Sequence, residues 1–135
     1  MSYPIETVEG IAKKYGGKLR KTGIAKTGQL LDRGATRKGR KDLASETGIE
    51  EKLILKWTNC CDLMRVKGVG EEYSELLEAA GVDTVKELRK RKAVNLHTAM
   101  LEANEKRKMV RQPPGLKQVE KWVEHAKELP PVMKY

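Results

Sequence analysis

Phenylalanine is absent, and the aromatic residues, four tyrosines and two tryptophans, make up only 4% of the chain. So few rings exclude a stacking platform for single-stranded nucleic acid, which needs successive aromatic faces. Cysteine is nearly absent too. Cys60 and Cys61 are sequence neighbours, which pair only through a strained geometry, and neither His97 nor His125 stands at a zinc-type spacing from them. They read as reduced thiols in a reducing compartment, and no metal site is expected. Nothing approaches the roughly 18 uninterrupted apolar residues of a membrane span. The opening MSYPIETVEG has no basic segment followed by an apolar stretch, so no signal peptide is expected and the location expected is cytoplasmic. Walker loop and nucleophile elbow are missing, and both histidines lack a nucleophile or carboxylate at meaningful spacing. No catalytic residue, cofactor, membrane or small-molecule substrate is therefore expected, and the chain reads as a non-enzyme.

What is present is charge. The 135 residues carry 28 Lys and Arg against 19 Asp and Glu, a net charge of +9 and a pI near 9.6. Apolar residues reach 39%, enough to fold one domain or two very small ones sharing a core. A small basic protein points first to a polyanion partner.

The sequence also repeats. At one constant offset, VEGIAKKYGGKLRKTGI from Val8 falls on VKGVGEEYSELLEAAGV from Val66 without a gap. Gly10 meets Gly68, Tyr15 meets Tyr73, Leu19 meets Leu77, Gly23 meets Gly81 and Leu30 meets Leu88. Trp57 and Trp122 correspond once the second copy carries seven extra residues, placed within Lys106 to Gly115. The organisation expected is a first pair of helices and hairpins over 1–64, a second over 65–129 and a short tail over 130–135.

Each copy has helical periodicity. Tyr15, Leu19 and Thr22 share a face, as do Tyr73, Leu76, Leu77 and Ala80. Gly23, Gly81 and Gly48 sit where a helix end favours a left-handed residue. Thr84 and Glu87 form a capping box that opens the next helix. Leu53, Ile54, Trp57 and Cys61 mark a further helix, matched by Val119, Trp122, Val123 and Ala126, which ends before Pro130 and Pro131. No stretch alternates like a strand, so the fold class is all-α. Trp57, Trp122, Tyr15 and Tyr73 are expected in the core, and the two short-helix copies are expected to pack into one body. Lys106 to Gly115, with its paired prolines, reads either as a basic arm along a phosphate backbone or as a loop.

The repeated centre is Val66-Lys67-Gly68-Val69-Gly70, with Val8-Glu9-Gly10-Ile11-Ala12 as its counterpart. It resembles the helix-hairpin-helix motif, in which glycines bring bare backbone N–H groups up to a DNA phosphate. Elementary chemistry supports the likeness. Glycine permits positive φ, and a following helix offers unpaired N–H groups and a positive dipole end. Nothing in such a contact reads a base. The order of the whole, carried by GATRKGRKDLASETGI, EEKLILKW, DLMRVKGVGEEYSELLEAAGVDTVKEL and LKQVEKWVEHAKEL, also resembles domain of unknown function 4332, over roughly Ile5 to Leu129. That family is described as tandem helix-hairpin-helix units related to those of DNA polymerase beta and recombinase N-terminal domains. The resemblance implies an all-α protein of two tandem copies of a paired helix-hairpin-helix unit. Helix-hairpin-helix glycosylases set a catalytic Asp or Lys in a larger domain, and this chain lacks the length for one.

The copies differ in charge. From Lys13 to Lys41 eleven basic residues face only Asp32, a balance of +10. From Val66 to Leu88, Lys67 and Lys86 face Glu71, Glu72, Glu75, Glu78, Asp83 and Glu87, a balance of −4. The expected phosphate contact is thus copy one: Gly10, Ile11 and Ala12, then Lys13, Lys14, Lys18 and Lys21, with Arg37, Lys38, Arg40 and Lys41 on a second helix. Gly68, Val69 and Gly70 are a second, weaker candidate, because the acidic field repels phosphate. Outside that hairpin, copy two carries Arg89 to Lys92, Lys106, Arg107, Lys108 and Arg111. Ala12 replaces a glycine at a cost only if that position needs positive φ. The partner expected is double-stranded DNA, bound without sequence specificity. Two alternatives are a protein partner docked through the acidic second copy and, more weakly, structured RNA.

Overall fold

Helix ends in this chain are set by glycine. Leu19 and Leu77 close apolar stripes, and Gly23 and Gly81 follow with φ of +92° and +96°. The left-handed residue lets the next N–H, of Ile24 or Val82, reach back to the carbonyl of Leu19 (3.0 Å) or Leu77 (2.9 Å). Repeated stops of this kind produce short helices. The computed structural model describes residues 2–134 and is all-α, with no strand among the described residues. A 3-10 turn over Ile5–Thr7 leads into α1 (Lys13–Lys21), α2 (Thr27–Gly34), α3 (Arg37–Thr47) and α4 (Glu51–Leu63). Then come α5 (Glu71–Ala79), α6 (Val85–Leu88), α7 (Ala93–Arg107) and α8 (Leu116–Glu128).

The elements recur in register. The offset that carries Val8 onto Val66 also carries Lys13, the start of α1, onto Glu71, the start of α5, and the two helices have the same nine-residue length. It carries Thr27, the start of α2, onto Val85, the start of α6. α4 and α8 both have thirteen residues, and they correspond once the seven added residues are allowed for. Those residues lengthen the end of α7 and the connection from Lys108 to Gly115. Trp57 stacks on Tyr15 with ring centroids 5.2 Å apart and tilted by 55°, and Trp122 on Tyr73 at 5.1 Å and 54°.

By its contacts the chain divides into two compact units. One runs to Asp62 and takes in the segment from Val132 onward; the other is Leu63–Pro131. In the first, Ile5, Leu19, Ile24, Leu30, Leu43 and Ile54 are fully buried. Burying one such side chain stabilises by about 1.5–3 kcal/mol. The N-terminal segment is fastened to the loop after α1 and to the start of α2: Ile5 N–H donates to the Ala25 carbonyl (2.9 Å) and Thr27 N–H to that of Tyr3 (2.8 Å). In the second unit, Leu76, Leu77, Leu88, Leu96, Met100 and Trp122 form the centre of one cluster.

The capping box anticipated at Thr84 and Glu87 is shared out between the copies. Thr84 Oγ1 accepts from Glu87 N–H (3.3 Å), while the Glu87 carboxylate pairs with Arg91 (3.1 Å). At the matching place in the first unit, Gln29 Oε1 accepts from the N–H groups of Ala25 (2.8 Å) and Lys26 (3.0 Å). One copy uses the side chain that caps forward, the other the side chain that reaches back.

Candidate nucleic-acid interface

Gly10 and Gly68 adopt φ of +93° and +92°, where an L side chain is strained. A second constraint acts there. A Cβ on either glycine would stand 3.1 Å from the indole nitrogen of Trp57 or Trp122. The next residues, Ile11 and Val69, are buried, so any ligand at the turn meets their backbone and not their side chains. Ala12 and Gly70 then take extended conformations, φ −74° and −101°, and open α1 and α5 without a side-chain cap. No positive φ is required at this position, and a Cβ on Gly70 would meet nothing within 4 Å. The Ala12 substitution in copy one therefore carries no backbone cost.

Charge separates the two turns. The first turn of α1 holds Lys13 and Lys14 and no acid; that of α5 holds Glu71 and Glu72. Acids favour a helix N-terminus by about 0.3–1 kcal/mol each, and cations disfavour it. α5 is thus electrostatically complete in itself, whereas α1 begins with positive charge against the positive end of its dipole.

Around α1, Lys13, Lys14 and Lys21 are exposed and Lys18 half-buried; on α3, Arg37, Lys38 and Lys41 are exposed. None of these seven enters an ion pair among the described residues. Thr36 Oγ1 caps α3 by accepting from Gly39 N–H (3.0 Å), and Gly39 lets α3 turn tightly off α2, because a Cβ there would collide with the Arg33 carbonyl.

Three other basic residues of this stretch are already committed. Arg20 forms a two-point pair with Glu6, at 2.9 and 2.6 Å. The guanidinium bonds, foremost, lower the Glu6 carboxyl from its ordinary 4.5 to about 2. Arg33 pairs with Glu46 at 2.6 Å. Arg40 corrects the expectation that it is a phosphate contact: it is buried, 6% exposed, on the same inward face of α3 as Leu43. Its Nη1 donates to the Gly34 carbonyl (2.8 Å) and its Nη2 to that of Lys134 (3.0 Å), so it fastens the end of α2 and the C-terminal segment. Lys134 N–H in turn donates to the Ala35 carbonyl (2.8 Å). A helical wheel drawn for α3 puts Arg40 beside Leu43; the Gly34 carbonyl and the returning C-terminal segment give the buried guanidinium its partners.

The connection after α7 is an anchored loop. Val110 and Pro114 are buried, Val110 N–H donates to Asn104 Oδ1 (2.9 Å), and Tyr73 Oη donates to the Gln112 carbonyl (3.2 Å). His97 Nε2 lies 3.0 Å from the Pro114 carbonyl. Lys106 and Arg107 at the end of α7, and Lys108 and Arg111 on the loop, are exposed. Arg91 is spent on Glu87 and on the Gly81 carbonyl (2.9 Å) at the end of α5. Cys60 and Cys61 are buried and form no disulfide among the described residues, and burial, foremost, raises the Cys61 thiol well above its ordinary value. Among the described residues, no three His, Cys, Asp or Glu gather as a metal site, and no helix is long and apolar enough to cross a membrane.

The family model of a domain of unknown function (DUF4332) matches residues 9–129. The chain belongs to the DUF4332 family. Among curated proteins and solved structures nothing matches it. The DUF4332 match spans both glycine turns, the helices from α1 to α8 and the loop after α7.

Proposed function

We propose that this DUF4332 protein is a non-enzymatic binder of duplex DNA, built from two tandem helix-hairpin-helix units. It grips the phosphate backbone without reading sequence. The contact surface is the Gly10 turn, the start of α1 with Lys13, Lys14, Lys18 and Lys21, and Arg37, Lys38 and Lys41 of α3. One observation carries the reading: α1 starts with two exposed lysines and no acid or side-chain cap, an arrangement that an isolated helix disfavours and a bound phosphate reverses. Backbone N–H groups at the turn donate to phosphate oxygens, the lysines neutralise charge, and the displaced counterions supply the entropy of binding.

The test is fluorescence anisotropy with a labelled duplex of roughly 20 base pairs over a salt series, where each phosphate engaged contributes about −0.9 to the log–log slope. A slope of about −3 or steeper is expected, equal for unrelated sequences and lost in a Lys13→Glu, Lys14→Glu, Arg37→Glu, Lys41→Glu variant. Running duplex RNA in parallel separates DNA from structured RNA. A flat response to salt, or undiminished binding by the variant, rules the reading out. A second reading, a scaffold that docks a basic protein, draws on Glu72, Glu78 and Asp83, all exposed in the second unit. It predicts that Glu72→Lys and Glu78→Lys abolish partner capture and leave duplex binding intact.

A further inference from the structure

Trp57 and Trp122 are each only 2% exposed, yet neither indole N–H has a hydrogen-bond partner among the described residues. No side-chain nitrogen or oxygen fully shut off from solvent lacks a partner there, so both indole nitrogens reach the surface. A donor held by a buried ring and left to water is a fixed, directional group for an incoming acceptor. In the second unit that donor opens into a groove of about 780 Å³ between the Lys67-Gly68 turn and α8.

His125 lies in the same groove. Lys67 N–H donates to its Nδ1 (3.0 Å), so Nδ1 is the unprotonated nitrogen and the neutral ring carries its proton on Nε2. That second donor also has no partner among the described residues. Lys117 and Lys121, one helical turn apart, and Lys67 across the groove add positive charge. Acids are interleaved along α8. Glu124 is paired with Lys127 at 3.0 Å and Glu128 stands a turn further on, while Glu120 lies between Lys117 and Lys121 at the start of α8. With three lysines and three glutamates interleaved on the wall, a polyanion laid along the whole groove gains no net attraction, and the site suits one oxyanion held by directed donors.

We propose that this groove is an oxyanion site that takes one phosphate group, received by Trp122 Nε1–H and His125 Nε2–H and neutralised by Lys117, Lys121 and Lys67. The first unit keeps the tryptophan but not the set: Glu9 stands where Lys67 does, and Cys60 where His125 does. The site is thus a property of the second copy. It is independent of the duplex reading, which rests on the first unit.

The chain has one tryptophan per unit, so each indole N–H gives its own resonance in a proton–nitrogen correlation spectrum. Inorganic phosphate is titrated at constant ionic strength, with chloride as the control. The expected result is a saturable downfield shift of the Trp122 indole peak, an unmoved Trp57 peak, and loss of the shift in Lys117→Glu, Lys121→Glu. Both lysines are exposed, so that variant folds; Trp122→Phe assigns the peak. A short duplex in place of phosphate distinguishes the source: a response to free phosphate alone marks a small phosphorylated ligand, and a response to the duplex as well marks a nucleic-acid phosphate. No saturable shift with either, a shift reproduced by chloride, or equal movement of both indole peaks overturns the proposal.

Discussion

The turns at Gly10 and Gly68 share one backbone and carry opposite charge. Both glycines sit near φ +92°, both lie against a tryptophan nitrogen, and both lead through an uncapped extended residue into a nine-residue helix. One helix opens Lys13-Lys14, the other Glu71-Glu72. The glycines and the tryptophan are thus requirements of the turn itself, met whether or not an anion is bound. Binding, where it occurs, is added by the residues that follow. The glycine pattern alone therefore marks the turn, and the first helical turns that follow it differ in charge.

Several changes would break or sharpen that contrast. The largest effect expected is from Lys13→Glu, Lys14→Glu, Arg37→Glu and Lys41→Glu together, which should reduce the salt slope of duplex binding by about 3 to 4, at roughly 0.9 per lost phosphate contact. Next comes Arg40→Ala. It leaves the buried Gly34 carbonyl without its donor and frees the Lys134 carbonyl, a cost of about 1–3 kcal/mol in chemical denaturation. Duplex affinity of the folded protein should hardly change, which separates this buried arginine from its exposed neighbours. Gly10→Ala and Gly68→Ala should each destabilise by about 1–2 kcal/mol, equally in the two units, since both force a Cβ into the left-handed region and against an indole. Gly70→Ala, by contrast, should be neutral within about 0.5 kcal/mol, because that residue is extended and has room.

The smallest effect is electrostatic. Glu6 titrates near 2 in the folded protein against an ordinary 4.5, so its contribution is complete above about 4.5 and lost as pH falls toward 2. Glu6→Gln should therefore lower stability at neutral pH and flatten the acid limb between those two values. The group is exposed, and the difference should shrink in high salt.

The all-helical class, the constant register between the copies, the seven added residues and the left-handed glycines at 23, 48 and 81 were all legible as spacing, because they depend on local backbone chemistry. So was the charge asymmetry. Arg40 was not: its periodicity beside Leu43 is visible, but the acceptors that make burial tolerable are the Gly34 carbonyl at the end of α2 and one that arrives from residue 134. Gln29 escaped for the opposite reason. It closes on Lys26, a residue type that gives no capping signal, so only its alignment with Glu87 could have exposed it. The open donors of Trp122 and His125 follow from packing between the Gly68 turn and α8, which lie at opposite ends of the second unit's sequence, and no local pattern reports such a meeting.

The contrast between the two turns is tested most directly by the backbone amide resonances of residues 10–14 and 68–72 during titration with a short duplex at low salt. Movement of the Ala12, Lys13 and Lys14 amides, with those of Gly70, Glu71 and Glu72 unmoved, is the expected result. Equal movement at both turns, or movement confined to the second, would contradict the assignment of duplex binding to the first unit.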